Sequence, residues 1–189
     1  MAMTIAYLAL LALVGMGRFI ELGISRRNQR ELERQGVRKV REPHFRWMVL
    51  VHAGILVGAA LEVTLLHRPL IPALAIAMGA VFLLANVLRW WVIRTLAGHW
   101  NVEVMASAGV GVVTSGPYRW VRHPNYVAVV AELLALPLIH TAWITALAGT
   151  AANLEILRRR LQVEDAALMA DSTYRRTMGT KPRFLPKLF

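Results

Sequence analysis

Cysteine is absent from this sequence of 189 residues. The chain therefore has no disulfide framework, no thiolate metal ligand and no cysteine nucleophile. Its six histidines show neither an HExxH motif nor the close paired spacing of a metal site, and no GxSxG motif presents a serine as a nucleophile. These absences predict a protein without a bound metal ion.

Acidic residues are also scarce, because 11 of them stand against 22 lysines and arginines and leave a formal net charge of +11. Such a charge is typical of proteins that bind nucleic acid or anionic lipid. The basic residues here flank apolar segments, and 57% of the chain is hydrophobic, more than is usual for a soluble domain. We therefore expect membrane lipid as a partner and no nucleic acid.

Long apolar runs predict an all-α polytopic membrane protein with five transmembrane helices. A bilayer core is crossed by about 17–25 mostly apolar residues. The run from Tyr126 to Leu157 is too long for one crossing and is interrupted near Pro137, His140 and Thr141, which predicts a helical hairpin that forms spans four and five. The first three spans are predicted from Met3 to about Ile24, from about Trp47 to Leu66, and from Pro69 to about Leu96.

The basic residues also predict how the chain is oriented. They concentrate in segment 25–46 and in the tail from Arg158 onward, whereas the opposite loops hold Arg68 alone. The positive-inside bias then places the N-terminus outside and the C-terminus in the cytoplasm. A secretory signal is a weaker interpretation of the first span, which has no basic start. The stretch RRNQRELERQGVRKVRE, residues 26–42, is expected as either a short amphipathic helix on the membrane surface or a solvated loop.

This topology divides the chain into two regions. Residues 1–96 hold the first three spans and the basic loop 25–46. Residues 97–189 hold a glycine-rich connector, the hairpin and the cytoplasmic tail, and we expect them to carry the chemistry. The connector contains GVGVVTSG, but it follows no soluble strand and opens no βαβ unit, so neither a dinucleotide fold nor a phosphate loop is predicted.

The stretch SGPYRWVRHPNY places basic and aromatic residues at the start of the fourth span. Gly116 and Pro117 predict a turn, and Pro124 suits the first turn of a helix. A helix N-terminus has free N–H groups and a partial positive charge, so it favours an anion such as a carboxylate. The alternative is a basic and aromatic anchor at the membrane interface.

The tail begins with RRRLQVEDAAL, in which Arg160 and Glu164 are four residues apart and share one face of a helix. Arg160 is suited to a carboxylate, and Glu164 to an ammonium or a ribose. The alternative is an ordinary ion pair on a solvated helix. Glu132 lies within span four, where a charge needs a partner or a role, and pairing with Arg89 or His52 is the alternative to catalysis.

Together, VVTSGPYRWVRHPNY, the predicted hairpin and RRRLQVEDAAL resemble the isoprenylcysteine carboxyl methyltransferase family, from about Asn86 to the C-terminus. The resemblance implies an integral membrane enzyme that binds S-adenosylmethionine without a soluble Rossmann domain. It also implies a substrate carboxylate at Arg160. It implies cofactor contacts at the backbone of Val110, Gly111, Val112 and Val113, and at Tyr118, His123, Pro124, Asn125, Tyr126 and Glu164.

Two kinds of methyl acceptor are consistent with that resemblance. The carboxylate of a prenylcysteine-like molecule is ionised at neutral pH and needs only orientation by Arg160, whereas the hydroxyl of an alkyl phenol or pyrone-like lipid needs a base. Glu132 or Glu103 is the predicted base in the second case. The alternative function is a non-catalytic polytopic protein that binds anionic lipid or a partner through its basic cytoplasmic face.

Overall fold

The computed structural model describes residues 1–106 and 111–186. This part of the chain is mostly helical, with one pair of two-residue strands as a small departure from the all-α prediction. Strand β1 (Arg38–Lys39) pairs antiparallel with β2 (Met105–Ala106). The helices described are α1 (Ala2–Arg34), α2 (Phe45–Leu65), α3 (Pro72–Leu96), α4 (Pro124–Leu138), α5 (Trp143–Ala170) and α6 (Ser172–Met178), with short 3-10 turns at Ala97–His99 and Gly116–Arg119.

The helices confirm a multi-pass membrane protein. Within the described residues, α1, α2 and α3 are the three helices long and apolar enough to cross a bilayer, and α4 is a shorter apolar helix. Helix α5 has 28 residues and extends about 42 Å at 1.5 Å per residue. Its first half is apolar and its second half begins with three arginines. Separate crossings by α4 and α5, and the orientation of the termini, stay predictions.

Helix α1 continues well past the predicted end of the first span. Residues 25–34 are helical and continuous with its apolar part, and form neither a separate surface helix nor a loop. No glycine or proline interrupts this segment. The helix ends just before Gly36, whose φ of 82° suits glycine. Nearly half of the basic segment 25–46 therefore belongs to α1.

The prediction that the third span begins at Pro69 is wrong, because α3 begins at Pro72. Proline is well placed in a first helical turn, where its missing N–H has no partner to lose. Ile71, the residue before it, is extended with φ −101° and ψ 108°, as contact with a following proline ring favours. Two prolines precede the apolar run, and the second of them starts the helix.

Helices α4 and α5 form the predicted hairpin, with its turn slightly later than Pro137. That proline lies in the last turn of α4, and the turn follows it. Thr141 adopts a φ of 55°, and its hydroxyl donates to the carbonyl of Pro69 at 2.5 Å. The hairpin is thereby tied to the loop between α2 and α3.

Helix α2 packs closely and antiparallel against α5. A Cβ atom on Gly149 would lie 2.4 Å from Cγ1 of Ile55, and one on Gly58 would lie 3.2 Å from Oγ1 of Thr145. Glycine at these two positions therefore lets the helix backbones approach. The two contacts also set the register between the helices. A step of three residues toward the N-terminus of α2, from Gly58 to Ile55, corresponds to a step of four residues toward the C-terminus of α5, from Thr145 to Gly149.

Glu62 of α2 caps the N-terminus of α5. Its carboxylate accepts hydrogen bonds from the backbone N–H groups of Ile144 at 3.1 Å and Thr145 at 2.8 Å, and from the Thr145 hydroxyl at 2.8 Å. Arg68 completes the cluster with a 3.0 Å bond from Nε. The first turn of a helix has N–H groups without helical partners, so Glu62 satisfies two of them from a neighbouring helix.

Candidate active site

The start of α4 and the polar half of α5 are in direct contact. Nε2 of His123 lies 2.8 Å from Oδ1 of Asp165, and Nδ1 lies 3.6 Å from Oε1 of Glu164. The hydroxyl of Tyr126 donates to the carboxylate of Glu164. His123 and Tyr126 are both buried. The two motifs therefore form one site, although about 40 residues separate them in the chain.

Charges at this site stabilise one another. Burial alone would lower the pKa of His123, but contacts with Asp165 and Glu164 outweigh it and raise that pKa above 6.5. Burial alone would raise the pKa of Glu164, whereas His123, Arg160 and Tyr126 lower it below 4.5. Both directions favour an imidazolium beside two carboxylates.

Arg160 lies at the centre of the site, with most of its donors already used. Its Nε donates to the hydroxyl of Tyr126 at 2.7 Å, and Nη2 donates to the carbonyl of Val102 at 2.5 Å. Nη1 lies 3.2 Å from Oε2 of Glu42, and the predicted partner Glu164 is farther, at 3.9 Å from Nε. Arg160 therefore has several partners around a buried site. An ordinary i,i+4 ion pair on a solvated helix does not describe it.

Glu42 is a site residue that the sequence motifs do not reveal. It belongs to the loop between α1 and α2, its side chain is 5% exposed, and it also accepts a hydrogen bond from the N–H of Val104. Burial raises its pKa above 4.5 although Arg160 and that N–H favour the carboxylate. The available signal was that Glu42 is the single acidic residue between Glu33 and Glu62.

His123, Tyr126, Arg160 and Glu164 border one cavity of about 410 Å³. At one end it is lined by the described cofactor residues predicted from the sequence, with the exception of Pro124, which begins α4. The other end is lined by residues of α1 and α2, including Phe19 and Val49, which are 76% and 44% exposed. The cavity therefore reaches from the polar site to the apolar exterior. The predicted cofactor residues along it are Gly111, Val112, Val113, Tyr118, His123, Asn125, Tyr126 and Glu164, whereas Val110 lies outside the described residues.

Several polar atoms in the cavity wall are buried without a hydrogen-bond partner among the described residues. They include Nε1 of Trp100, Oδ1 of Asn101 and Oδ1 of Asn125. Most buried polar atoms in proteins are paired, so these unpaired atoms in the cavity lining indicate a place for a polar ligand. Asn125 was predicted from the motif, whereas Trp100 and Asn101 follow α3 and were missed.

Glu132 belongs to a buried charge network beneath the cavity. Its carboxylate lies 2.9 Å from Nη2 of Arg18 and 3.3 Å from Nε of Arg89, and Glu21 contacts the same two arginines at 2.9 and 3.5 Å. The predicted pairing of Glu132 with Arg89 is confirmed, and its catalytic role stays a prediction. Glu103, the other predicted base, lines the cavity and pairs with Lys39.

Comparisons with known proteins identify the family and the fold. A model of the isoprenylcysteine carboxyl methyltransferase (ICMT) family matches residues 74–170. The uncharacterized protein YpbQ of Bacillus subtilis (strain 168) is 32% identical over 159 residues, which cover 84% of this chain and 94% of that protein. An uncharacterized protein of Haemophilus influenzae is 27% identical over 152 residues, which cover 80% of this chain and 88% of that protein.

The fold is similar to that of a solved structure, the eukaryotic intramembrane Ras methyltransferase ICMT, with a TM-score of 0.55 and 22% sequence identity. The alignment covers 74% of this chain and 52% of the other, so this chain spans about half the length of that protein. The family model covers half of the chain, and the Bacillus relative covers most of it. The chain belongs to the isoprenylcysteine carboxyl methyltransferase (ICMT) family of membrane methyltransferases.

Proposed function

We propose that this protein is an S-adenosylmethionine-dependent O-methyltransferase that modifies a lipophilic acceptor at the cytoplasmic face of a membrane. One observation carries the proposal, which is a single cavity bordered by His123, Tyr126 and Glu164 at one end and by Phe19 and Val49 at the other. A polar cofactor and an apolar acceptor can therefore reach the same space from opposite sides.

The residues at the polar end fit S-adenosylmethionine. The carboxylate of Glu164 suits its ammonium or ribose hydroxyls, and the N-terminus of α4 suits its carboxylate. The unpaired Nε1 of Trp100 and Oδ1 of Asn125 supply a donor and an acceptor for further polar groups. We assign this end to the cofactor, with the backbone of residues 111–113 as its second wall.

When bound, the cofactor supplies an electrophilic methyl group on a sulfonium. The residues of the chain then have to align the acceptor with that methyl group and exclude water from it. Tyr126 is held between Glu164 and Arg160, which fixes its ring in the cavity lining. An acceptor carboxylate would bind at Arg160, and an acceptor hydroxyl would need a base in the apolar half.

A methyl-transfer experiment tests the proposal. Detergent-purified protein is incubated with S-adenosylmethionine carrying an isotopically labelled methyl group and with two probes, N-acetyl-S-farnesylcysteine and pentadecylphenol. We expect mass spectrometry to find the label in one probe for the wild type and the Glu155→Gln control, whose side chain is exposed on α5, and in neither probe for Glu164→Gln. Absence of labelled product together with absence of S-adenosylhomocysteine binding by the wild type would contradict the proposal.

A further inference from the structure

His52 of α2 has a defined ring orientation in the apolar half of the cavity. Its Nδ1 lies 2.7 Å from the carbonyl oxygen of Met48. A carbonyl oxygen only accepts hydrogen bonds, so Nδ1 carries the proton, and Nε2 of the neutral ring offers a lone pair. Across residues 1–106 and 111–186 no hydrogen bond occupies Nε2. Because His52 lines the cavity, that lone pair is available to a ligand.

The position of His52 connects the polar site with the apolar entrance. The sulfur of Met48, whose carbonyl accepts from His52, lies 3.2 Å from Nη1 of Arg160. On the other side, the cavity beside His52 is lined by the apolar residues Val49, Ala53 and Leu56. An acceptor with its alkyl chain in that apolar part would present its polar end between His52 and the cofactor site.

The charged groups that face His52 are already paired with one another. They are Arg18 from α1, Arg89 from α3 and Glu132 from α4, which form with Glu21 of α1 a network of two cations and two anions joined by contacts of 2.9 to 3.5 Å. Each carboxylate contacts both arginines, so neither is a free base. His52 is thus the uncharged base that these helices present to the cavity.

Arg160 is poorly disposed to receive a second carboxylate. Glu42 already lies 3.2 Å from Nη1 and is almost fully buried. Other donors of Arg160 are used by Tyr126 and by the carbonyl of Val102. An acidic acceptor would have to displace Glu42 into an apolar surrounding, and unpaired buried charges are costly. A neutral acceptor needs no such exchange.

We propose that His52 is the general base for a hydroxyl acceptor of the alkyl phenol class. This inference rests on the proposed function. The acceptor O–H bond breaks and its proton moves to Nε2 of His52, while a lone pair on the acceptor oxygen forms a bond to the methyl carbon of S-adenosylmethionine. The carbon–sulfur bond breaks with its electron pair on sulfur. The products are a methyl ether, a thioether and one proton, which the imidazolium later releases to water.

Asn153 of α5 is suited to bind the same hydroxyl oxygen. The close contacts of Gly149 with Ile55 and of Gly58 with Thr145 bring Asn153 to the level of His52. Asn153 is 3% exposed, lines the cavity, and its Nδ2 has no hydrogen-bond partner among the described residues. An amide donor and an imidazole acceptor together match a hydroxyl group, which accepts one hydrogen bond and donates another.

The test compares two acceptors that differ in acidity. Pentadecylphenol is protonated at neutral pH, whereas an alkyl nitrophenol of equal chain length is ionised when the pH exceeds its own pKa. We expect His52→Gln to lower kcat on pentadecylphenol by about 100-fold or more, as loss of a general base does, and to leave kcat on the ionised nitrophenol nearly unchanged. His67→Gln, in the exposed turn that follows α2, is the control with wild-type rates on both.

Two binding measurements separate the inference from the proposed function. Calorimetry with S-adenosylhomocysteine should give the same affinity for the wild type, His52→Gln and His52→Ala. Without cofactor, the visible absorbance of the bound nitrophenol should show phenolate down to a lower pH in the wild type than in either variant.

Equal loss of kcat on both acceptors, unchanged absorbance, or methylation of N-acetyl-S-farnesylcysteine alone would overturn the role of His52. So would intact S-adenosylhomocysteine binding without transfer to either phenol, whereas failure of the wild type to bind S-adenosylhomocysteine would overturn the proposed function itself.

Discussion

Nε2 of His123 lies 2.8 Å from Oδ1 of Asp165, which joins the residue before α4 to the polar half of α5. Arg122 and Arg183 contact the same carboxylate at 3.2 and 2.8 Å. The backbone N–H of His123 also donates to the carbonyl of Arg183 at 2.8 Å. The tail is therefore held over the polar end of the cavity by one carboxylate and its three basic partners.

The contact between His123 and Asp165 should weaken at both alkaline and acidic pH. The pKa of His123 is raised above 6.5, so its stabilisation is complete below that value and is lost as the pH rises through the folded-state pKa. Burial opposes ionisation of Asp165, but His123, Arg122 and Arg183 lower its pKa below 3.8. The contribution of Asp165 is present above 3.8 and is lost as the pH falls through its lowered pKa.

Hydrogen–deuterium exchange of the tail, measured from a pH below 3.8 to a pH above 6.5, tests whether this contact weakens at both ends. We expect segment 165–183 to be best protected between the two transitions. In His123→Gln the loss at alkaline pH should disappear, and the protection should be lower throughout. Protection that is the same at every pH in the wild type would show that these charges do not hold the tail.

Replacement of Glu132 should act mainly on stability. In Glu132→Gln, Arg18 and Arg89 would lose a shared carboxylate inside the helical bundle. Breaking a buried ion pair typically costs about 3–5 kcal/mol. We expect a clearly lower Tm in detergent with unchanged affinity for S-adenosylhomocysteine, because Glu132 does not line the cavity. A normal Tm with lost methyl transfer would instead favour the predicted catalytic role.

The cap on α5 gives a second stability prediction. Glu62→Ala removes the acceptor of the Ile144 and Thr145 N–H groups, and loss of a helix cap costs about 0.5–2 kcal/mol. We expect a lower Tm for Glu62→Ala. Thr64→Ala is the control, since that hydroxyl bonds only to carbonyls of its own helix. Equal effects of the two substitutions would argue against the cap.

Glu42 should determine which acceptor the site prefers. Glu42→Gln would leave Arg160 without its closest carboxylate and thus available to an acidic acceptor. We expect the ratio of kcat/KM for N-acetyl-S-farnesylcysteine over pentadecylphenol to rise. A ratio that stays the same as in the wild type would mean that Glu42 does not compete for Arg160.

Local patterns in the sequence predict most of the helices but not all of their ends. Apolar length identifies α2 and α3, and Pro124 marks the start of α4. The continuation of α1 to Arg34 was less evident, because its charged residues resemble a loop, although no glycine or proline lies between Ser25 and Gly36. Proline position alone could not distinguish Pro69 from Pro72 as the start of α3.

The site was predictable only where a motif carries it. Family-like motifs predict His123, Tyr126 and Glu164, and the structure brings them into contact. Glu42 and Trp100 reach the site because connecting segments that are distant in the chain pack together. The hydrophobic periodicity of the sequence does not predict that packing. The tautomer of His52 depends on the carbonyl of Met48 one turn away, and its relevance appears only when the cavity beside it is known.

Calorimetric titration with S-adenosylhomocysteine tests the central claim most directly, that the start of α4 and the polar half of α5 form one cofactor site. We predict binding at one site per chain for the wild type and for Glu155→Gln, and loss of binding for both His123→Ala and Glu164→Gln with a folded protein in each case. Wild-type affinity in either cavity variant, or no binding by the wild type, would contradict the claim.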